Sequence, residues 1–142
     1  MKLYVQRKQE CTYAKHSEEI YGDWEEHYNF EVRGVSLTER KSSEEFNVPF
    51  KIKAGQPVFV LFMIYDSGDS FGYSKGKGEV LWVFKYSDIA LKALNKWKNS
   101  HKDDTSVEFE IDGGIKKRLS NPASGYFENL ENVELETFLV NP

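Results

Sequence analysis

Two unbroken apolar runs constrain the fold of this chain more than any other feature. Residues 58–65 read VFVLFMIY and residues 80–84 read VLWVF, and turn-forming residues border both runs. The runs are too short for buried helices and are rich in β-branched and aromatic residues, which favours strands covered on both faces. We therefore expect them to form the centre of a β-sheet.

Alternating apolar and polar residues predict further strands around this centre. The alternation changes phase at Gly34, where we expect a β-bulge, and Pro49 places its strand at a sheet edge because proline has no N–H for the ladder. The closing stretch GYFENLENVELE is expected to expose a carboxylate-rich edge that discourages aggregation. The predicted strands cover residues 2–8, 28–37, 46–52 and 132–140.

Residues 87–99 predict one amphipathic helix. Ser87 can cap it, and Asp88 lies near the positive end of the helix dipole. Residues 12–27 have no clear period, because Gly22 interrupts a helical pattern, and we expect a short helix or an irregular turn there.

Residues 106–119 predict a β-hairpin around the three-residue loop DGG. In that register Glu110 faces Lys116 and Glu108 faces Arg118. Opposite charges on one face favour this pairing over its alternatives.

The composition is that of one folded domain, residues 1–142. Aromatic residues make up 15% of the chain and offset an apolar fraction of only 39%. The net charge of −4 argues against binding a nucleic acid polymer, and the single cysteine and the lack of a long apolar run predict a cytosolic protein without membrane contact. The predicted class is α+β: a mostly antiparallel sheet of six to eight strands with one main helix packed on it.

A polar segment with four glycines, residues 66–78, separates the two apolar runs and allows three interpretations. As a nucleophile motif, residues 72–76 match G-x-S-x-G, but a strand follows where that motif requires a helix. As a phosphate loop, the glycine spacing is wrong, although nested N–H groups and nearby lysines can still bind an anion. As a plain hairpin loop, the glycines only permit turns, but about a dozen residues is long for such a loop.

The anion-binding interpretation defines a candidate ligand site. Hydroxyl groups and lysines of the segment would hold the anion, while Trp24 or Phe71 would stack on a ring of the ligand. Trp24 belongs to the acidic-aromatic stretch EEIYGDWEE, and its alternative role is to anchor that stretch to the core. The predicted ligand-binding residues are Trp24, Asp69, Ser70, Phe71, Ser74, Lys75 and Lys77.

The sequence predicts no cofactor, no metal site and no catalytic residue. The three histidines are dispersed and lack the spacing of metal ligands. Asp66, Asp69 and Glu79 could gather around a divalent ion, although they match no calcium loop. They define an alternative function, that of a metal-dependent phosphodiesterase or nuclease.

Three stretches carry a resemblance to a known group: HSEEIYGDWEE, YDSGDSFGYSKGKGEVLWVFK and GYFENLENVELE. Together they resemble small proteins encoded by tailed bacteriophages and prophages, and the G-D-S-F-G segment is the most specific part. The resemblance spans nearly the whole chain and supplies no catalytic residues.

The resemblance implies a dispensable phage protein that counters a host defence in the host cytoplasm, by binding and without catalysis. It would either sequester a small anionic, nucleotide-type signal or block a host defence protein. We also expect a homo-oligomer, because the exposed edges of a small sheet offer pairing surfaces. Besides the metal-dependent enzyme, a structural phage protein without a ligand remains an alternative.

Overall fold

The computed structural model describes residues 1–15, 24–69, 72–100, 108–111, 115–118 and 127–142. Within these ranges the chain forms a six-stranded sheet, a two-stranded sheet and one helix. In chain order the elements are β1 (Lys2–Lys15), β2 (Trp24–Ser36), β3 (Ser43–Asn47), β4 (Pro57–Asp69), β5 (Gly72–Phe84), α1 (Ser87–Ser100), β6 (Glu108–Ile111), β7 (Ile115–Arg118) and β8 (Phe127–Leu139).

The larger sheet has the strand order β3-β1-β2-β5-β4-β8. Its neighbouring strands are antiparallel except β2 and β5, which pair in parallel over residues 24–27 and 72–75. The two apolar runs lie in β4 and β5, inside the sheet, which confirms the prediction of central strands. The α+β class and the mostly antiparallel sheet are confirmed as well, and the one parallel pair makes the sheet mixed.

The prediction of a long loop over residues 66–78 is wrong, because this polar segment continues both central strands. β4 runs to Asp69 and β5 begins at Gly72, and Ser67 pairs with Ser74 between them. Only two residues separate the strands. A β-ladder uses backbone groups alone, so a polar segment joins it wherever neighbouring strands offer partners.

The expectation of a helix or irregular turn over residues 12–27 is also wrong at both described ends. β1 extends to Lys15 and β2 begins at Trp24, and these two ends pair with each other. Residues 16–23 lie outside the described ranges. The long antiparallel pairing of β1 with β2 stabilises ends that show no helical or alternating pattern.

The strand predicted over residues 46–52 is β3, which ends earlier, at Asn47. Pro49 follows it and cannot donate to a ladder, which accounts for the early end. β3 does lie at an edge of the sheet, as the proline predicts.

The bulge predicted near Gly34 is confirmed. Gln6 pairs with Gly34 and Arg7 pairs with Val32, so Arg33 is the extra residue on β2. A bulge bends its strand and increases the local twist, which redirects β2 near its end.

The hairpin and the helix form where the sequence predicts them. In the two-stranded sheet Glu108 pairs with Arg118 and Glu110 with Lys116, the predicted register. In α1 the amide of Ala90 donates to the carbonyl of Tyr86 at 3.1 Å, which places Ser87 in the first turn and not at the cap. The buried side chains of the helix are those of Ala90, Ala93 and Trp97.

Strand β2 crosses the face of the half-sheet β5-β4-β8. After pairing with β5 at its start, it brings the ring of Phe30 to 5.7 Å from the ring of Phe62 in β4, measured between centroids. At its end Ser36 forms a parallel bridge with Asn141, just past β8. The sheet therefore folds over itself, and its two halves enclose the core.

Two glycines of β5 make this crossing possible. A Cβ on Gly76 would lie 2.5 Å from the carbonyl oxygen of Tyr28, and a Cβ on Gly78 would overlap the ring of Phe30. Gly76 also has a φ of +72°, in the left-handed region that side chains disfavour. These two glycines of the polar segment thus leave room for the backbone and side chains of β2.

The core lies between the two halves of the folded sheet and beneath the helix. Phe46 of β3 contacts Trp82 of β5 across it, with ring centroids 5.7 Å apart and nearly perpendicular planes. No helix in the described ranges is long and apolar enough to cross a membrane. The largest fully buried side chains are those of Trp97, Leu3, Leu61, Leu81, Val5, Val35, Val58, Val60, Val80, Val83 and Val133.

We predict that Gly78→Ala lowers the free energy of unfolding by about 1–3 kcal/mol, because the new methyl group displaces the ring of Phe30 and overpacks the crossing. Urea denaturation followed by tryptophan fluorescence measures this loss.

Gly34→Ala provides the control. A Cβ there would meet its nearest atom, Nδ2 of Asn141, at 3.5 Å, an ordinary contact. We expect it to change the stability by less than about 1 kcal/mol. Equal losses at the two positions would contradict the assigned role of Gly78.

Candidate functional site

The pairing of β2 with β5 brings the predicted ligand-binding residues to one end of the sheet. Trp24 lies opposite Gly72, so its backbone is next to the start of the glycine-rich strand. Trp24 and Asp69 are described through their backbones only, and Ser70 and Phe71 lie outside the described residues. Ser74, Lys75 and Lys77 lie on β5, where their side-chain contacts are described.

These three side chains lie on two faces: Ser74 and Lys77 contact Glu26 and Tyr28 on one face of β2, whereas Lys75 contacts Glu25 on the other. In a regular strand Lys75 and Lys77 would point to the same face. The positive φ of Gly76 reverses this order. Lys75 instead pairs with Glu25, while Lys77 lies over the ring of Tyr28, and Glu25 and Tyr28 are on opposite faces of β2.

The first face holds a hydrogen-bond network around Glu26. Its Oε2 accepts a bond of 2.6 Å from the hydroxyl of Tyr28 and one of 3.0 Å from the hydroxyl of Ser74. Nζ of Lys77 lies 5.4 Å from the centroid of the Tyr28 ring. The bond from Tyr28 is the main cause that lowers the pKa of Glu26, and the same bond raises the pKa of Tyr28. Ser74 and Lys77 are therefore already engaged by protein groups.

The second face holds a buried carboxylate. Glu25 is only 5% exposed, and its Oε1 lies 3.3 Å from Nζ of Lys75 and 3.2 Å from Nε2 of His27. A buried charge requires such partners because desolvation is costly. Lys75 therefore serves to compensate Glu25.

A second pair of carboxyl groups lies nearby, on β4 and β8. The register between these strands shifts at Glu131, since Ile64 pairs with Asn132 and Tyr65 with Leu130. Burial raises the pKa of Glu131, and a hydrogen bond with Asp66 raises it further, whereas Lys75 lowers it. Two carboxyl groups can share a hydrogen bond when one of them carries a proton.

This end of the sheet is poorly suited to an anionic ligand. The described carboxyl groups outnumber the lysines, and repulsion between like charges opposes a phosphate. The amides that a nest would use are also engaged, because Gly76 donates to Oδ1 of Asp66 at 3.0 Å and Gly78 donates to Oε1 of Gln9 at 2.8 Å. The local carboxyl groups are Glu25, Glu26, Asp66 and Glu131.

The two enzymatic interpretations gain no support from the described side chains. Ser74 lies within a strand with its hydroxyl bonded to Glu26, so it lacks the exposed turn of a nucleophile motif. Among these side chains, no group of three or more His, Cys, Asp or Glu could hold a metal ion. Asp66 binds the amide of Gly76, whereas Glu79 lines a separate cavity.

Strand β8 forms an acidic edge of the sheet. It is the last strand in the order and pairs only with β4 in the described part of the chain. Glu131, Glu134 and Glu136 are exposed along it. Partial desolvation raises the pKa of Glu136, and the nearby charges of Glu134 and Glu31 raise it further. The closing sequence predicts this carboxylate-rich edge, but not the position of β8 beside β4.

Comparisons with known proteins give no relative from which a role could be transferred. No protein-family model, no curated protein and no solved structure matches the chain.

We predict that Tyr28→Phe raises the pKa of Glu26 towards its ordinary value, because the strongest hydrogen bond to the carboxylate is lost. The lowered pKa stabilises the fold above the unfolded value of roughly 4.3, and this contribution is lost as the pH falls through the folded pKa. The variant should therefore lose less stability on acidification through this window. Carboxyl-carbon NMR titration measures the pKa, and denaturation at several pH values measures the stability.

Tyr4→Phe is the matched control, since the hydroxyl of Tyr4 lies 3.3 Å from Glu45 and does not contact Glu26. It should leave the pKa of Glu26 unchanged. An unchanged pKa in Tyr28→Phe as well would show that the bond from Tyr28 does not stabilise the carboxylate.

Proposed function

We propose that this chain is a phage accessory protein that acts in the host cytoplasm by binding and blocking a host defence protein. The resemblance to phage-encoded proteins supports the biological setting. The lack of a catalytic constellation among the described side chains supports a binding role. The observation that carries the proposal is the acidic edge strand β8.

The site geometry favours a protein target over a nucleotide signal. The lysines expected to hold a phosphate are engaged by Glu25 and by the ring of Tyr28. The amides of Gly76 and Gly78 are bonded to side chains. A nucleotide would have to displace these partners while approaching several carboxylates.

Strand β8 offers a different binding mode, the addition of a strand from another protein. The unpaired N–H and C=O groups of an edge strand bind an extended segment, and the side chains on both strands determine which segment fits. Opposite charges on facing positions are favourable, and like charges are unfavourable. The proposed partner segment is therefore extended and rich in Lys or Arg.

The same charges oppose pairing between two copies of β8. An antiparallel pair of these strands would bring Glu131, Glu134 and Glu136 of one copy close to those of the other. A homo-oligomer, as proposed from the small sheet, would thus use a surface other than the acidic edge.

We predict that Glu136→Lys abolishes the protective activity without loss of stability. Phage plating efficiency is compared on hosts with an active defence system that express the wild-type or variant protein. The reversal removes a carboxylate needed for a basic partner, and it also relieves the repulsion from Glu134 and Glu31, so the melting temperature should stay equal or rise.

Glu39→Lys makes the same charge change at an exposed residue outside β8 and should keep full activity. If both reversals leave plating unchanged while the wild-type protein protects, the acidic edge is not the binding surface. If the wild-type protein protects against no defence system tested, the proposed function is wrong.

A panel of nucleotides in a melting assay separates the three classes of function. A protein blocker should show no change of melting temperature, whereas a bound nucleotide would raise it with concentration. A nucleotide recovered unchanged after heat denaturation would favour sequestration. A product formed only without chelator would indicate the metal-dependent enzyme.

A further inference from the structure

We infer that an apolar cavity beside the start of α1 binds a small aromatic carboxylate, that is, a single ring with one carboxyl group. The cavity lies where the end of β5, the first turn of α1 and the segment after β3 meet, and its volume is about 230 Å³. None of its lining residues belongs to β8, so this inference and the proposed blocking of a host protein can fail separately.

The cavity is almost wholly apolar and rests on the core. Trp82 and Phe84 are at most 6% exposed and lie at its base, and the ring of Trp82 is held by its edge contact with Phe46 at 5.7 Å between centroids. Phe50 and Ile89 pack partly buried against the same core and form walls. An apolar cavity of about 150 Å³ can already hold a benzene ring, so this one has room for a ring with a short substituent.

The aromatic residues of the lining favour a flat ring over an alkyl chain. Besides the three rings at the base and wall, Tyr86 lines the cavity and is 56% exposed, so it lies at the mouth. A ligand ring can meet such side chains in stacked or edge-to-face geometry, which adds to the gain from burial alone. A ligand that enters this preformed site also orders few protein groups.

Lys85 gives the mouth of the cavity a positive charge. Its Nζ lies 5.7 Å from the centroid of the Tyr86 ring, and within the described part of the chain it pairs with no carboxylate. Asp88, the nearest acidic residue in the sequence, does not line the cavity. A ligand with its ring on the apolar base would hold its carboxylate at the mouth, where the ammonium group can form a charge-assisted hydrogen bond.

The test is an NMR titration of the full, isotope-labelled chain with benzoate and with phenylacetate. We expect saturable shifts of the amide signals of the lining residues and of the indole N–H of Trp82. The neutral analogues benzamide and phenylacetamide should bind at the same signals but more weakly. Cyclohexanecarboxylate keeps the charge without the aromatic ring and should also bind more weakly.

Lys85→Met tests the charge, because methionine keeps an apolar chain of similar length. We expect it to weaken phenylacetate binding by roughly fivefold, between the effects of an exposed ion pair and of a charge-assisted hydrogen bond, and to leave phenylacetamide binding unchanged. Lys92→Met is the matched control. It removes the same charge from an exposed residue of α1 outside the cavity lining and should leave both affinities unchanged.

The inference is overturned if no ligand gives saturable shifts, if phenylacetamide or cyclohexanecarboxylate binds as tightly as its aromatic carboxylate counterpart, or if both methionine variants lose affinity alike. Shifts of the lining residues that depend on protein concentration without ligand would overturn it too, because a second copy of the chain would then occupy the cavity. If Lys85→Met does not fold, the comparison of phenylacetate with phenylacetamide on the unmodified chain decides the role of the charge.

Discussion

The close crossing of β2 over β5 is the constraint on which the rest of this structure depends. Backbone and ring atoms of β2 occupy the space that side chains on Gly76 and Gly78 would fill. Only this approach allows β2 to begin beside β5 and to end beside the segment after β8. The fold-over of the sheet and the enclosure of the core follow from it.

The crossing also determines which charged groups lie next to each other at the end of the sheet where β2 pairs with β5. In a free loop the lysines and amides of this glycine-rich segment would be available to an anion. Within β5 they meet side chains of neighbouring strands, and Lys75 compensates the buried Glu25. A segment with the composition of an anion-binding loop is thus part of the sheet, and its charged and N–H groups already have partners within the protein.

The elements that the sequence predicts well are those whose signals are local. The helix, the two apolar strands and the β6–β7 register follow from periodicity, from apolar runs and from facing charges such as Glu110 and Lys116. The glycine-rich part of β5 escapes such reasoning, because its shape is determined by β2, a strand distant in the sequence. For the same reason the sequence does not predict that Trp24 pairs with Gly72. The faces to which Lys75 and Lys77 point depend on the positive φ of Gly76, which the sequence does not reveal either.

Cys11, the one cysteine of the chain, is exposed on β1 and pairs in register with Tyr28 of β2. A thiol-reactive fluorophore or spin label would therefore attach at a single position, without competing sulfhydryl groups. That position lies next to β2, the strand that crosses over β5. A label on Cys11 would therefore report on the β1–β2 pair next to the strand crossing. No cysteine has to be introduced or removed by mutation for such an experiment.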